Sequence, residues 1–251
     1  MSAIEIDGSI LTDGTGVNSF HLDFADNSSN AALGTDTSGN NNTWTVNNLV
    51  AAPAGLSTAN QGFDVVTYTG NGSTQSITGL NFQPDFVWIK SRNQGFNHAL
   101  FDSVRGATKG LHCDLTQAEW TDTNTLTAFN SNGFTAAGHN VTNSNSTTYV
   151  AWCWKAGGAA SSNTDGSITS SVSANNTYGF SIATFTSPAS GTFSIGHGLN
   201  STPKFVIVKT RGATSDWSVY HASVVTNTNQ YLVLNSTCLL YTSPSPRDNG
   251  R

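Results

Sequence analysis

Apolar residues enter this chain in short bursts. The runs at 65–68, 86–89, 149–154, 180–185, 205–208 and 231–234 are rich in Val, Ile, Phe, Tyr and Trp, and each is bounded by Gly, Asn, Pro or Ser. Runs of that length and composition predict strands, and their spacing predicts an all-β chain of antiparallel sandwiches. Phe86-Val87-Trp88-Ile89 is apolar on both faces. That predicts a strand covered on both sides, with Phe86, Trp88, Ile89 and, on a neighbouring run, Trp152 mostly buried. One helical start is predicted, at Thr116-Gln117-Ala118-Glu119, which has the form of a capping box and leads to Trp120.

Two of the runs sit inside a repeated pattern. Gly79-Leu80-Asn81 followed by Pro84, Phe86, Val87, Ile89, Lys90 and Arg92 returns as Gly198-Leu199-Asn200 followed by Pro203, Phe205, Val206, Val208, Lys209 and Arg211. The preceding run recurs too, from Gly62-Phe63 to Gly179-Phe180, a period of 179 − 62 = 117 residues. A period of that size is a domain, too long for a solenoid unit. The expected organisation is an N-terminal joint (residues 1–61), a first sandwich (62–158), a linker rich in Gly, Ala, Ser and Asn (159–178) and the first half of a second sandwich (179–237). From Cys238 the chain reads Cys-Leu-Leu-Tyr-Thr-Ser-Pro-Ser-Pro-Arg-Asp. That is the translation of a transposase-type sequencing adapter, so residues 238–251 are expected to be foreign to the fold and the second copy to be cut near its middle.

Composition narrows the classes of function. Charged residues make up 10% of the chain and the formal net charge is −5, with Lys and Arg scattered, so there is no electrostatic footprint for nucleic acid. No stretch of about 18 apolar residues is present, so no membrane partner is expected. Cys113 and Cys153 lack metal-ligand spacing and read as small buried hydrophobes.

The duplication also tests candidate chemistry, because a catalytic residue in one copy can be sought in the other. His98 and Asp102, four apart and followed by Ser103, suggest an acid/base pair, but the second copy has Trp217 and His221 at those places. Asp102, Asp114, Glu119 and Asp122 form the one acidic cluster and are expected on a solvated loop. No catalytic residue is assigned and the chain is expected not to be an enzyme. Asp36, Ser38, Asn40 and Asn42 alternate like the first half of a calcium loop. The position eleven residues after Asp36 is Asn47 rather than the required carboxylate, so a turn is expected there, with no metal and no cofactor. Aromatic rings can stack on sugars. Trp88, Trp152 and Trp154 lie in strand runs, which leaves Trp44, Trp120 and Trp217, in polar surroundings, as the ligand-binding candidates. Lys90 and Arg92, like Lys209 and Arg211, end the central strand of their copy, where they are expected to blunt an edge or make an inter-domain salt bridge.

Phe20-His21-Leu22-Asp23-Phe24-Ala25-Asp26, then Asp36-Thr37-Ser38-Gly39-Asn40-Asn41-Asn42-Thr43-Trp44, resemble the opening strands and turn of laminin-G/concanavalin-like lectin domains. Joined to the repeated Pro-x-Phe-Val pattern and the run from Tyr149 to Trp154, the order over residues 17–237 resembles tail-associated proteins of marine bacteriophages. The resemblance implies a virion tail location, outside the cell, and a non-catalytic structural or adhesion role. The implied partners are host-surface glycans and other tail chains, a homotrimer being one expected assembly. The alternative is the non-catalytic part of a polysaccharide-degrading tailspike or secreted hydrolase.

Overall fold

The structure, a computed structural model, describes residues 4–6, 9–11, 20–21, 34–44, 62–225, 230–236 and 241–242. The chain divides into two units, Met1–Asn60 and Gln61–Arg251. All regular structure among the described residues is strand, and the fold is all-β and sandwich-like. In the first unit β1 (Ile4–Ile6) pairs with β2 (Ser9–Leu11), and residues 34–44 form a loop beside Phe20 and His21. Residues 22–33 and 45–61, the remainder of the lectin-like segment, lie outside the described residues.

The first copy is built from two antiparallel sheets. One runs β3 (Phe63–Thr69), β11 (Thr148–Trp154), β5 (Phe86–Ser91), β6 (Ala99–Asp102); the other runs β4 (Gln75–Thr78), β10 (Gly133–Ala136), β9 (Leu126–Asn130). Val87, Ile89, Ala99, Phe101, Tyr149, Ala151 and Cys153 from the first meet Ile77, Leu126, Phe134 and Ala136 from the second in one buried core. β5 reaches that core with alternate residues, as a pleated strand must. Val87, Ile89 and Ser91 are buried, while Phe86, Trp88 and Lys90 face outward and are half-buried. Ile89 is therefore fully covered as its sequence predicts, whereas Phe86, Trp88 and Trp152 keep part of their rings exposed. The outer face of this sheet is roofed only in part, by residues of the second copy such as Phe180 and Ile207.

The second copy repeats the hairpin that the motif announces. β15 (Phe205–Lys209) pairs with β16 (Trp217–His221) so that Phe205 faces His221 and Ile207 faces Val219. Adding 205 − 86 = 119 to the pairs Phe86–Asp102 and Trp88–Leu100 of β5 and β6 gives the same register. The match continues beyond the strands. The backbone N–H of His98 donates to Asp114 Oδ1 at 3.2 Å, and that of Trp217 to Asn235 Oδ1 at 2.8 Å. Lys90 Nζ donates to the carbonyls of Gln94 and Phe96, and Lys209 Nζ to the carbonyl of Ala213 and the hydroxyl of Ser215. These lysines tie down the loop after the strand rather than blunting an edge.

Two expectations are corrected. The 116–120 helix does not form: β7 (Lys109–Gly110) pairs with β8 (Trp120–Thr121), and residues 116–119 have no regular structure. Their backbone groups are used against the second copy, where the Glu119 N–H donates to the Arg211 carbonyl at 2.8 Å and the Ser215 N–H to the Thr116 carbonyl at 2.9 Å. Tertiary pairing there overrides a local helical preference. The 159–178 stretch is likewise no bare linker. It carries β12 (Ser161–Asn163) and β13 (Ser170–Asn175), and β13 pairs along its length with β14 (Phe180–Phe185). Ser170 and Ser173 are buried because their hydroxyls donate to the carbonyls of Gly196 and Gly158. β17 (Gln230–Val233) joins β16, and β18 (Tyr241–Thr242) lies on its other edge.

Candidate functional site

The three tryptophans proposed as ligand platforms lie in three different environments. Trp217 is 5% exposed and fills a cluster with Leu100, Leu111 and Cys113 of the first copy, its indole N–H donating to the His112 carbonyl at 2.8 Å. It is a pin between the copies and offers no ring face to a ligand, which corrects the reading from its polar neighbours in sequence. Trp120 is half-buried between His112 at 5.4 Å and His139 at 6.1 Å, with Phe101 on its edge. It also lies over Gly110, where a Cβ would stand 2.1 Å from the indole, so only glycine admits the ring. Trp44 is the accessible member at 38% exposed, leaning on Phe20 at 4.8 Å.

Trp44 closes the loop that starts at Asp36. The Asp36 carboxylate accepts from the backbone N–H groups of His21, Ser38 and Asn42 and from the Ser38 hydroxyl, all at 2.8–2.9 Å. Burial pushes its pKa up, but these four donors outweigh that and hold it far below the ordinary carboxylate range. With Gly39 at φ +89° and Asn41 at φ +57°, this is the expected Asx-type turn. Its carboxylate is spent on the loop's own amides.

A chain of charges crosses the seam between the copies. Asp102 pairs with Arg105, Arg105 Nη1 reaches Glu119 Oε2 at 3.1 Å, and Glu119 takes Arg211 in a two-pronged contact at 2.8 Å on each limb. Desolvation raises the Glu119 pKa, and the bonds from Arg211 and Arg105 more than reverse this and lower it. Asp102, buried, and Glu119, partly buried, are thus structural partners, not members of a solvated acidic loop. Arg211 makes the inter-copy salt bridge that its place at the end of the central strand suggests. His98 and Asp102 do not form a pair: His98 Nδ1 accepts the Trp88 indole N–H at 2.8 Å, which places its proton on Nε2. Desolvation lowers the His98 pKa, Lys90 adds to this, and Asp114 opposes it, so the ring is held neutral.

Arg211 also lines a cleft of about 330 Å³ in the same unit, with Ser162, Ser170, Thr184, Phe185 and Thr186. Hydroxyls, one aromatic edge and a guanidinium make a wall that can hydrogen-bond a polyol. The sequence reading did not flag this cleft: Ser162 and Ser170 come from the stretch read as linker, and Thr184 and Phe185 from a run read only as a strand.

Asp85 is the structural residue that the motif hid, lying between Pro84 and Phe86. It is 2% exposed, and its carboxylate takes the Ser103 hydroxyl at 2.8 Å and the backbone N–H groups of Ala156 and Gly158. It ties the start of β5 to the turn after β6 and to the exit from β11. The second copy has Lys204 there, so the shared pattern does not include the position.

The fold and site define an all-β module made of two copies of one hairpin-centred unit, pinned by Trp217 and the Glu119–Arg211 pair. The chain belongs to the family described as a domain of unknown function (DUF7483), whose match covers residues 58–248 and so spans both copies together with the stretch from Cys238 to Asp248. No curated protein and no solved structure matches the chain.

Proposed function

We propose that this chain is a non-catalytic structural and adhesion module of a phage tail fibre or tail-associated protein, placed on the virion, contacting host-surface glycans or neighbouring tail chains. One observation carries the reading. The candidate acid and base groups singled out in the second unit are committed to structural partners: Asp102 to Arg105, His98 to Trp88, and Glu119 to Arg105 and, across the copies, to Arg211. Paired carboxylates free to act on a glycosidic bond would have to be separated from such partners. The open surface is instead the hydroxyl-lined cleft at Phe185 and Arg211, with Trp44 as a separate platform in the first unit.

The test offers the chain to host-derived polysaccharides and follows both release of reducing ends and binding. The expected result is no release, and weak saturable binding that falls at least fivefold in Phe185→Ala or Trp44→Ala. Release of oligosaccharide that disappears in Asp102→Ala or Glu119→Ala would refute the proposal.

A further inference from the structure

Among the described residues the second copy repeats the β5–β6 hairpin of the first but not the strands that cover it. In the first copy β11 lies between β3 and β5, pairing with both over Thr148–Trp154. In the second, the counterparts of β3 and β5 are β14 and β15, and each is the terminal strand of its own sheet among the described residues. The side chains that β11 and the second sheet cover in the first copy are bare in the second. Ile89 and Phe101 are 0% exposed, whereas their counterparts Val208 and Tyr220 are 45% and 41% exposed.

We propose that β14 and β15 flank a strand-binding slot, and that its occupant is a further stretch of the same repeat carrying the β11 pattern. That strand would run antiparallel to both neighbours, with small or apolar side chains turned towards Val206, Val208 and Tyr220. The first copy supplies the template: Tyr149, Ala151 and Cys153 face the core, and Val150, Trp152 and Trp154 face outward. The anchor positions are also in place. In the first copy the backbone N–H of Arg92 donates to Thr148 at 2.7 Å and that of Asp85 to Trp154 at 2.8 Å, and Lys155 donates to Gly62 at 2.9 Å. Arg211, Lys204 and Gly179 are the counterparts of Arg92, Asp85 and Gly62. Thr186 and Arg211, counterparts of the two residues that bracket Thr148, both line the 330 Å³ cleft, so that cleft marks one mouth of the slot. A sugar is the poorer occupant of the rest, because strand edges that are terminal among the described residues, beside aliphatic side chains, are satisfied by a further strand. The inference does not rest on glycan binding.

The experiment follows amide exchange at 180–185 and 205–209 in the full chain with and without a synthetic peptide of the sequence of residues 144–156. Saturable protection of both strands by at least tenfold is expected, with no effect from a peptide in which the residues corresponding to Ala151 and Cys153 are lysine. A second variant replaces residues 237–251 by the sequence of residues 116–156, and the same protection is expected in the absence of peptide. Unchanged exchange in both arms would overturn the proposal. So would protection that already exists in the unmodified chain and rises with its concentration, since the occupant would then be a second copy of the chain.

Discussion

Glu119 shows how one side chain can hold two copies of a repeat together. Its carboxylate sits between a buried guanidinium, Arg105, and a half-exposed one, Arg211. Glu119→Gln removes the charge but keeps the shape. The expected loss is about 1–2 kcal/mol at neutral pH, with the Arg211 limb discounted for solvent screening. The pH dependence follows from the sign of the shift. The folded-state pKa is lowered, so the contribution is complete above the unfolded value of about 4.3 and is lost as pH falls through the folded value. Urea melts from pH 7 to pH 3 should therefore show the wild type and Glu119→Gln converging at the acid end; a constant gap would refute this role. Gly133 is the backbone counterpart. At φ +155° its absent Cβ would lie 1.9 Å from the Ile77 carbonyl oxygen, across the β10–β4 pairing. Gly133→Ala must push the strands apart and should cost about 3 kcal/mol or more in thermal unfolding, whereas alanine at Gly95, where nothing lies within 4 Å, should be near neutral. Residue roles were the least legible level in the sequence. Trp217 reads as polar-flanked and exposed because its partners Leu100, Leu111 and His112 lie more than 100 residues earlier in the chain, and local composition carries no trace of them.

At the scale of elements the sequence was a better guide, wherever apolar residues had to face a core. The runs at 65–68, 86–89, 149–154, 180–185 and 205–208 lie in strands, as does 231–234 up to Val233. The shared motif predicted two equivalent hairpins, which the common register of β5–β6 and β15–β16 provides. Strands held by hydroxyls or by brief pairings escaped notice. β13 shows little apolar alternation because Ser170 and Ser173 are buried through hydrogen bonds, and β7 and β8 are two residues each. The false helix at 116–120 fails for the complementary reason, its capping sequence being outcompeted by bonds to Arg211 and Ser215. Trp217→Ala tests the seam as an element. Emptying an indole-sized space among Leu100, Leu111 and Cys113, and orphaning the His112 carbonyl, should cost roughly 3–5 kcal/mol of docking. Amide exchange should accelerate in β15, β16 and β17 while β3, β5 and β11 stay protected, because the core of the first copy is closed without Trp217. Uniform acceleration in both copies would mean that they unfold as one unit.

At the scale of the whole molecule the open question is which parts belong to the fold. The tail from Cys238 reads as adapter translation, the family match runs on to residue 248, and Tyr241 and Thr242 form a two-residue strand on β17. These observations make opposite demands on a deletion. A foreign segment pairs with whatever edge is free, and an edge of apolar strand with exposed backbone groups accepts such pairing without selected complementarity. Two residue pairs, Gln230–Thr242 and Tyr231–Tyr241, contribute little beyond the entropy they cost. Deleting residues 238–251 is thus expected to shift the calorimetric melting temperature by less than about 2 °C and to leave amide exchange in the first copy unchanged, exposing only the β17 edge. A drop of about 5 °C or more, or loss of protection at Trp217 and Val219, would show that the tail completes the second copy. The adapter reading of those residues would then fail on physical grounds.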